Sequence, residues 1–389
     1  MPPLNMSKSA FKANSAIKKF IIACLLLTLG SSYAIDLPLI NKGNSDKTGT
    51  YAINPQFDEA DIFSEDLARI GVGDILVRKY GFINKKGRIV IDAKYDYAGN
   101  FKEGFALVRI GDWQSGKWGF INKQGKIAIE IKYDNARFFS EGLAAVRIGD
   151  TQAGKWGFID KAGNMAIPAK FDEAYGFSEG LSSVRIGDKA NGKWGYIDKT
   201  GNFAIQPKFD QNFGFIPKKS IAGARIGNDE TGKWGFINKK GDFVIKPEFD
   251  AVRAFSDDLA PVRIGDSKNG KWGFINEEGK IVINPQYSDV RFHREGLAGV
   301  KLSDPNGKWG FIDKKGKMII NPQFNDVYVF SSGLAAVKIG EKENSKWGFI
   351  DSTGKFIVNP QFDISSSYVE DLAVVKIGGM NGKWGYIYR

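Results

Sequence analysis

Residues 117–125 read Lys117-Trp118-Gly119-Phe120-Ile121-Asn122-Lys123-Gln124-Gly125, and this stretch decides how the rest of the chain is read. Alternation puts Trp118 and Phe120 on one face of a strand and Gly119 and Ile121 on the other. Asn122 to Gly125 has the composition of a tight turn, with Gly125 where a positive φ is wanted. The Trp-Gly pair returns at Trp156-Gly157, Trp194-Gly195, Trp234-Gly235, Trp272-Gly273, Trp309-Gly310, Trp347-Gly348 and Trp384-Gly385. Tyr80-Gly81 is a ninth copy with Tyr for Trp. Successive copies stand 37 to 40 residues apart, and a fixed period of that length marks a repeat architecture.

The unit that starts at Lys117 continues with Ile127-Ala128-Ile129 as a second strand. It bends through Tyr133-Asp134, passes Phe139-Ser140-Glu141-Gly142 and forms a third strand from Leu143 to Ile148. Gly149 to Gly154 then turns back to Lys155-Trp156. The unit is predicted to be a three-stranded antiparallel meander. Its second strand is apolar at all three positions in every full copy, for example Ile89-Val90-Ile91, Phe243-Val244-Ile245 and Met318-Ile319-Ile320. A strand apolar on both faces reads as covered on both, so the sheets are expected to stack on one another. Pro55, Pro207, Pro247, Pro285, Pro322 and Pro360 lack an amide hydrogen and read as ending that strand at a sheet edge.

The fold class expected is therefore all-β, a tandem repeat of nine three-stranded units in an open, curved or superhelical array. The alternative is a closed, propeller-like ring. The array starts inside a unit, at Ile53-Asn54-Pro55, and ends on a first strand, Lys383 to Ile387, which can complete the opening pair. Propellers typically have about four to eight blades, which favours the open form.

The N-terminus reads separately. Lys8, Lys12, Lys18 and Lys19 precede an apolar run from Phe20 to Gly30, too short for a spanning helix, and Ser32-Tyr33-Ala34 offers a cleavage site. Residues 1–34 are expected to be a secretory signal peptide, in preference to a membrane anchor or to lipidation at Cys24. Residues 35–50 read as a linker and 51–389 as the array. Cleavage removes four Lys and no acid, so the net charge falls from +11 to +7. It also removes Cys24, the one cysteine, which excludes Cys nucleophiles and Cys-based metal sites. The protein is expected to be exported, to the periplasm, the cell surface or the medium, with no transmembrane span in the mature chain.

The third strand carries a base in nearly every copy: Arg109, Arg147, Arg185, Arg225, Arg263, Lys301, Lys338 and Lys376. In a stack these form a ladder, with recurring acids such as Asp96, Asp134 and Glu141 as expected partners. Internal ion pairing is the favoured reading, and a binding ladder is the functional one. Trp118, Trp156, Trp194, Trp234, Trp272, Trp309, Trp347 and Trp384 suggest a stacking row for sugars or peptides, but their alternation with Phe favours a structural repeat core. The single histidine, His293, is expected to be exposed. No catalytic, metal-binding or cofactor-binding constellation is read from the sequence, and the Asp-x-x-Gly turns lack the alternating ligands of calcium loops. Three departures stand out: the first unit, the longer fifth unit at 213–221, and an extra tryptophan, Trp113, in a turn.

The run Gly-Lys-Trp-Gly-Phe-Ile-Asp-Lys-x-Gly-Lys, then Ile-x-Pro-x-Phe-Asp, then Phe-Ser-Glu-Gly-Leu-Ala-x-Val, resembles the bacterial WG-repeat (KWG-repeat) family over residues 51–389. The resemblance implies a β-rich repeat protein, commonly exported or surface-associated, and transfers no site residues. The function expected is a non-enzymatic exported scaffold that binds proteins or envelope polymers. A peptidoglycan- or polysaccharide-binding module is the alternative, and a hydrolase using His293 or acids near Lys218-Lys219 comes third. No cofactor and no nucleic-acid partner are expected.

Overall fold

The computed structural model describes residues 47–303 and 307–389. The expected signal peptide and residues 35–46 of the expected linker lie outside the described residues. Among the described residues are nine four-stranded antiparallel sheets, arranged as the blades of a propeller. No helix in this part is long and apolar enough to cross a membrane.

The third blade shows the plan. Its strands, in order across the sheet, are Asn135–Ala136, Ala144–Ile148, Lys155–Ile159 and Met165–Phe171. The last three are the expected meander. The first is an additional two-residue strand, reached from the last strand of the second blade, Ile127–Tyr133, across the single residue Asp134. Each repeat thus finishes one blade and starts the next, and the unit is four-stranded where the sequence predicted three.

The ring closes. In the ninth sheet the N-terminal strand Tyr51–Phe57 is the outer neighbour of Lys383–Tyr388, followed by Leu372–Ile377 and Ile364–Ser365. Tyr51 pairs with Ile387 and Phe57 with Trp384. Residues 49 and 50, the end of the expected linker, continue this pairing: the Gly49 amide donates to the Tyr388 carbonyl and the Tyr388 amide to the Thr50 carbonyl. The closed alternative replaces the open array, and the nine blades exceed the usual number.

Each residue of the opening motif has its own partner. Phe120 meets Phe139 of the next blade at 4.9 Å between ring centroids. The same contact recurs at every blade interface, from Phe82–Phe101 at 4.8 Å round to Tyr386–Phe63 at 4.9 Å, which crosses the closure. Such pairs add about 0.5–1.5 kcal/mol beyond the area they bury. Gly119 faces the last strand of its own blade, where a built Cβ would stand 2.7 Å from the Ile131 Cα and 2.8 Å from the Ile129 carbonyl oxygen. That strand bulges there: Trp118 pairs with Tyr133 and Phe120 with Ile129, so four residue steps meet two. Only a glycine lets the bulged backbone approach so closely. The prolines lie inside this bulged edge strand, as Pro207 does in Phe203–Phe209, and not beyond its end.

A second expectation is corrected on the same strand. The third apolar position is buried in every blade, as at Ile91, Ile129 and Ile167. The first two are largely solvent-facing: Ile89, Val90, Ile127, Ile281 and Val282 are all exposed. The strand is the free edge of its blade, so neighbours cover it on one side alone. The core is divided among clusters that bridge adjacent blades, such as Phe158, Ile167 and Phe171 with Phe177, Val184 and Ile197.

Two polar belts run round the ring. At the hairpin joining the first two strands of seven of the nine blades, all but the fifth and eighth, an acid reaches the next blade. Glu103 accepts from the Gly142 amide at 3.0 Å and pairs with Lys161 at 3.1 Å. Glu370 does the same across the closure, to the Glu65 amide and Lys85. At the opposite ends of the strands the lysine before the Trp meets the Asp between blades, as in Lys117–Asp134 at 2.5 Å, except where Ser288 and Asn325 replace that Asp. Lys383 and Asp58 repeat that pair across the closure.

Candidate functional site

The site is built from the first strand of each blade, which bulges. In the fourth blade Ala174 pairs with Val184 and Phe177 with Ser182, so three steps on one strand meet two on the other. A bulge re-aims the side chains within it. The re-aimed residue is Asp61, Gly99, Arg137, Tyr175, Phe213, Arg253, Arg291, Tyr328 and Ser366 in blades one to nine. Six consecutive blades, three to eight, therefore carry an aromatic or a guanidinium there.

These side chains lie on the tryptophans. Tyr175, Phe213 and Tyr328 stack on Trp194, Trp234 and Trp347 at 5.4, 6.0 and 5.0 Å between centroids. Arg137, Arg253 and Arg291 sit over Trp156, Trp272 and Trp309 at 4.9, 4.2 and 4.5 Å. Each of these arginines also pairs with an acid of the following blade: Arg137 with Glu173 at 2.5 Å, Arg253 with Asp289 at 2.9 Å and Arg291 with Asp326 at 2.8 Å. Arg137 also lies 4.4 Å from the Tyr175 ring centroid. Room is adjusted from the neighbouring strand, where Gly223 faces Phe213 and a built Cβ would stand 2.0 Å from the ring. Tyr175, Tyr328, Phe138 and Phe292 remain exposed along this edge.

The second blade breaks the row. Gly99 puts no side chain on Trp118, which meets Tyr97 edge-on at 5.1 Å. Beside it lies a cavity of about 420 Å³, whose walls include Tyr97, Leu107, Trp118, Arg137 and Phe138.

The eight bases predicted as a ladder each pair across the sheet with the Trp of the same blade, from Arg109–Trp118 and Arg147–Trp156 to Lys376–Trp384. The same holds for Arg185, Arg225, Arg263, Lys301 and Lys338. Arg109, Arg147, Arg185 and Arg263 lay their guanidinium groups 5.5 to 6.0 Å from the ring centroids. Trp156, Trp272, Trp309 and Trp347 are buried, and Trp118, Trp194, Trp234 and Trp384 partly so. The recurring Asp residues bond elsewhere. Burial works to raise the Asp96 carboxyl, but hydrogen bonds from Lys79 and the Gly111 amide outweigh it and leave the group below the usual carboxylate range.

His293 is fully buried, where an exposed side chain was expected. It occupies the place of Phe255 and Phe330, against Phe274 at 4.6 Å between centroids. Burial pushes its pKa down, and the hydrogen bond with the Asp313 carbonyl at 3.3 Å opposes this only in part. Among the described residues no three metal-ligating side chains converge. The bulge residues were missed in the sequence. The signal was available: the third residue after the inter-blade position varies from copy to copy, and is Arg or aromatic in six consecutive copies, while most of its neighbours repeat.

A family model described as WG containing repeat matches the chain nine times, at residues 45–74, 80–112, 118–151, 156–189, 194–228, 234–267, 272–304, 309–342 and 347–384. No curated protein sequence matches. Among solved structures, the crystal structure of a eukaryotic initiation factor superposes with a TM-score of 0.57 at 13% identity, over 80% of this chain and 90% of that one. That likeness is one of fold. A prolyl endopeptidase structure superposes with a TM-score of 0.44 at 11% identity, over 77% of this chain and 53% of that one.

Proposed function

The chain belongs to the family of WG containing repeat proteins, and from that premise we propose that it is a non-enzymatic, exported binding scaffold, with a protein or an envelope polymer as its partner. The observation that carries this reading is the division of labour among its polar and aromatic groups. Repeated groups are engaged between blades, as Lys117 is with Asp134 and Lys161 with Glu103. Non-repeated groups gather on the first-strand edge of blades three to eight, where Tyr175, Phe292 and Tyr328 stay exposed beside arginines. Aromatic residues and arginine are the types that carry most binding energy at interfaces. The test is affinity capture from an envelope extract with the wild type and a Tyr175→Ala/Tyr328→Ala variant. A partner retained by the first and lost by the second supports the edge; equal capture by both removes it.

A second reading, a polysaccharide-binding module, is favoured by the cavity beside Trp118. Its volume of about 420 Å³ lies within the usual range for small-ligand sites of about 300–1,000 Å³, and Gly99 lays no side chain on the indole as the bulge residues of blades three to eight do. Titration with cell-wall oligosaccharides should quench fluorescence in the wild type and not in Trp118→Phe. Unchanged fluorescence in the wild type rejects this reading.

A further inference from the structure

We propose that the loops joining the second and third strands of blades nine, one and two form a lipid-binding face, which inserts shallowly into an anionic membrane surface. The proposal goes beyond the scaffold reading and does not depend on it.

These loops leave every blade at the same end, because all blades share one topology. In five of the other blades the loop tips are polar or small: Asp150-Thr151-Gln152-Ala153, Asp188-Lys189-Ala190-Asn191, Asn228-Asp229-Glu230-Thr231, Asp266-Ser267-Lys268-Asn269 and Glu341 to Asn344. In three consecutive blades, joined through the ring closure, they are not. The ninth presents Met380, 71% exposed; the first Ile75, Leu76 and Val77, at 54, 88 and 69%; the second Trp113, at 78%. Large apolar side chains this exposed in one sector mark an interaction surface.

The tips are held outward by their own loops. The Asp112 carboxylate accepts from the Gln114 and Ser115 amides, both at 2.7 Å, so Trp113 projects from a closed turn. In the first blade the Val77 amide donates to the Asp74 carbonyl at 2.9 Å, and Arg78 clamps the base of the loop through the Gly73 carbonyl and Glu59. Gly379 is tied to Asp363 beneath Met380. The apolar surface consists of convex tips on separate loops, a shape suited to a deformable apolar phase.

Charge argues for the same occupant. Lys79, Lys117 and Lys383 stand at the bases of the three loops, their side chains about half exposed and paired with Asp96, Asp134 and Asp58. Lys376 donates to the Met380 carbonyl. Without the expected signal peptide, Lys and Arg still exceed Asp and Glu by 7. Aliphatic and Trp tips with basic neighbours match the interfacial zone of an anionic bilayer, where apolar burial and attraction to headgroups act together.

The test is binding of the full chain to phosphatidylcholine vesicles with and without one quarter phosphatidylglycerol, read by co-sedimentation and by quenching with brominated lipid. The expected result is preference for the anionic vesicles, with a partition coefficient about tenfold lower in Leu76→Asp/Trp113→Asp. Lipid quenching should be lost in Trp113→Phe. Ala153→Asp/Ala190→Asp, in the polar loops, serves as the control for added charge. A loss under threefold in the first variant overturns the proposal, even if the chain binds through its N-terminal apolar run. So does an equal loss in the control, or quenching that survives Trp113→Phe. Matched melting temperatures among the variants exclude misfolding as the cause.

Discussion

Lys219 of the fifth blade forms an ion pair with Glu277 of the sixth, and the pair is a charge-reversed copy of the one that Glu103 makes with Lys161. The spacing is the same, 58 residues. Lys219 also meets Asp258 at 2.8 Å, where Glu103 meets the Gly142 amide. Three positions have changed together, and the clasp between blades is kept with its signs exchanged.

This makes a direct prediction. Lys219→Glu alone places three carboxylates together and should cost about 1 kcal/mol, the scale of a part-exposed ion pair. Lys219→Glu/Asp258→Gly/Glu277→Lys rebuilds the arrangement of the other blades and should return to within about 0.5 kcal/mol of the wild type. Urea unfolding at low salt measures both. A triple variant no better than the single one would show that the clasp is not what these residues provide.

His293→Phe should change how stability depends on pH. The imidazole is held neutral in the folded ring, chiefly by burial. The unfolded chain binds its proton near the ordinary value of about 6.5. Stability is therefore complete above that pH and is lost as pH falls toward the depressed folded value, by at most about 1.4 kcal/mol per pH unit. The phenylalanine variant, matching Phe255 and Phe330, should equal the wild type near pH 8 and exceed it near pH 5. Thermal melting at both values decides this, and parallel curves would contradict it.

The residues explain what was legible beforehand. Trp118-Gly119-Phe120 announced a strand and a period, and alternation placed the glycine on the face opposite the tryptophan. The first strand did not announce itself, because Asn135–Ala136 is two residues long and then bulges. Ile127 and Ala128 looked buried because apolar identity was taken as burial on both faces, and no local pattern distinguishes a free blade edge. Closure rests on contacts between residues 325 apart, Lys383 with Asp58 and Tyr386 with Asp61, which local patterning does not encode. The bulge residues Arg137, Tyr175 and Arg253 were hidden because the copies were read for what repeats.

Two glycines separate two kinds of constraint. Gly142 sits at a φ of 87° with no atom within 4 Å of a built Cβ, so alanine meets only backbone strain of about 1–2 kcal/mol. Gly235 has no positive φ, but its Cβ would stand 2.3 Å from the Ile245 carbonyl oxygen. Gly235→Ala must push the bulged edge strand away and should cost about 3 kcal/mol. Denaturation of the two variants under the same conditions tests the order, and Gly142→Ala being the more damaging would refute it.

The closure itself is testable by removing residues 1–57, which leaves the strand Lys383–Tyr388 as a free edge. Ile53 and Phe57 are both buried there, and burial of such side chains contributes about 1.5–3 kcal/mol each. Loss of the pair should therefore lower stability by about 3–6 kcal/mol. It also bares an unpaired strand, which invites pairing between chains. The expected outcome is a lower melting temperature together with concentration-dependent dimers in light scattering. A synthetic peptide of residues 47–57, added in trans, should restore the monomer by refilling the ninth blade. A truncated chain that stays monomeric and melts as the full chain does would show that the ring does not depend on this strand.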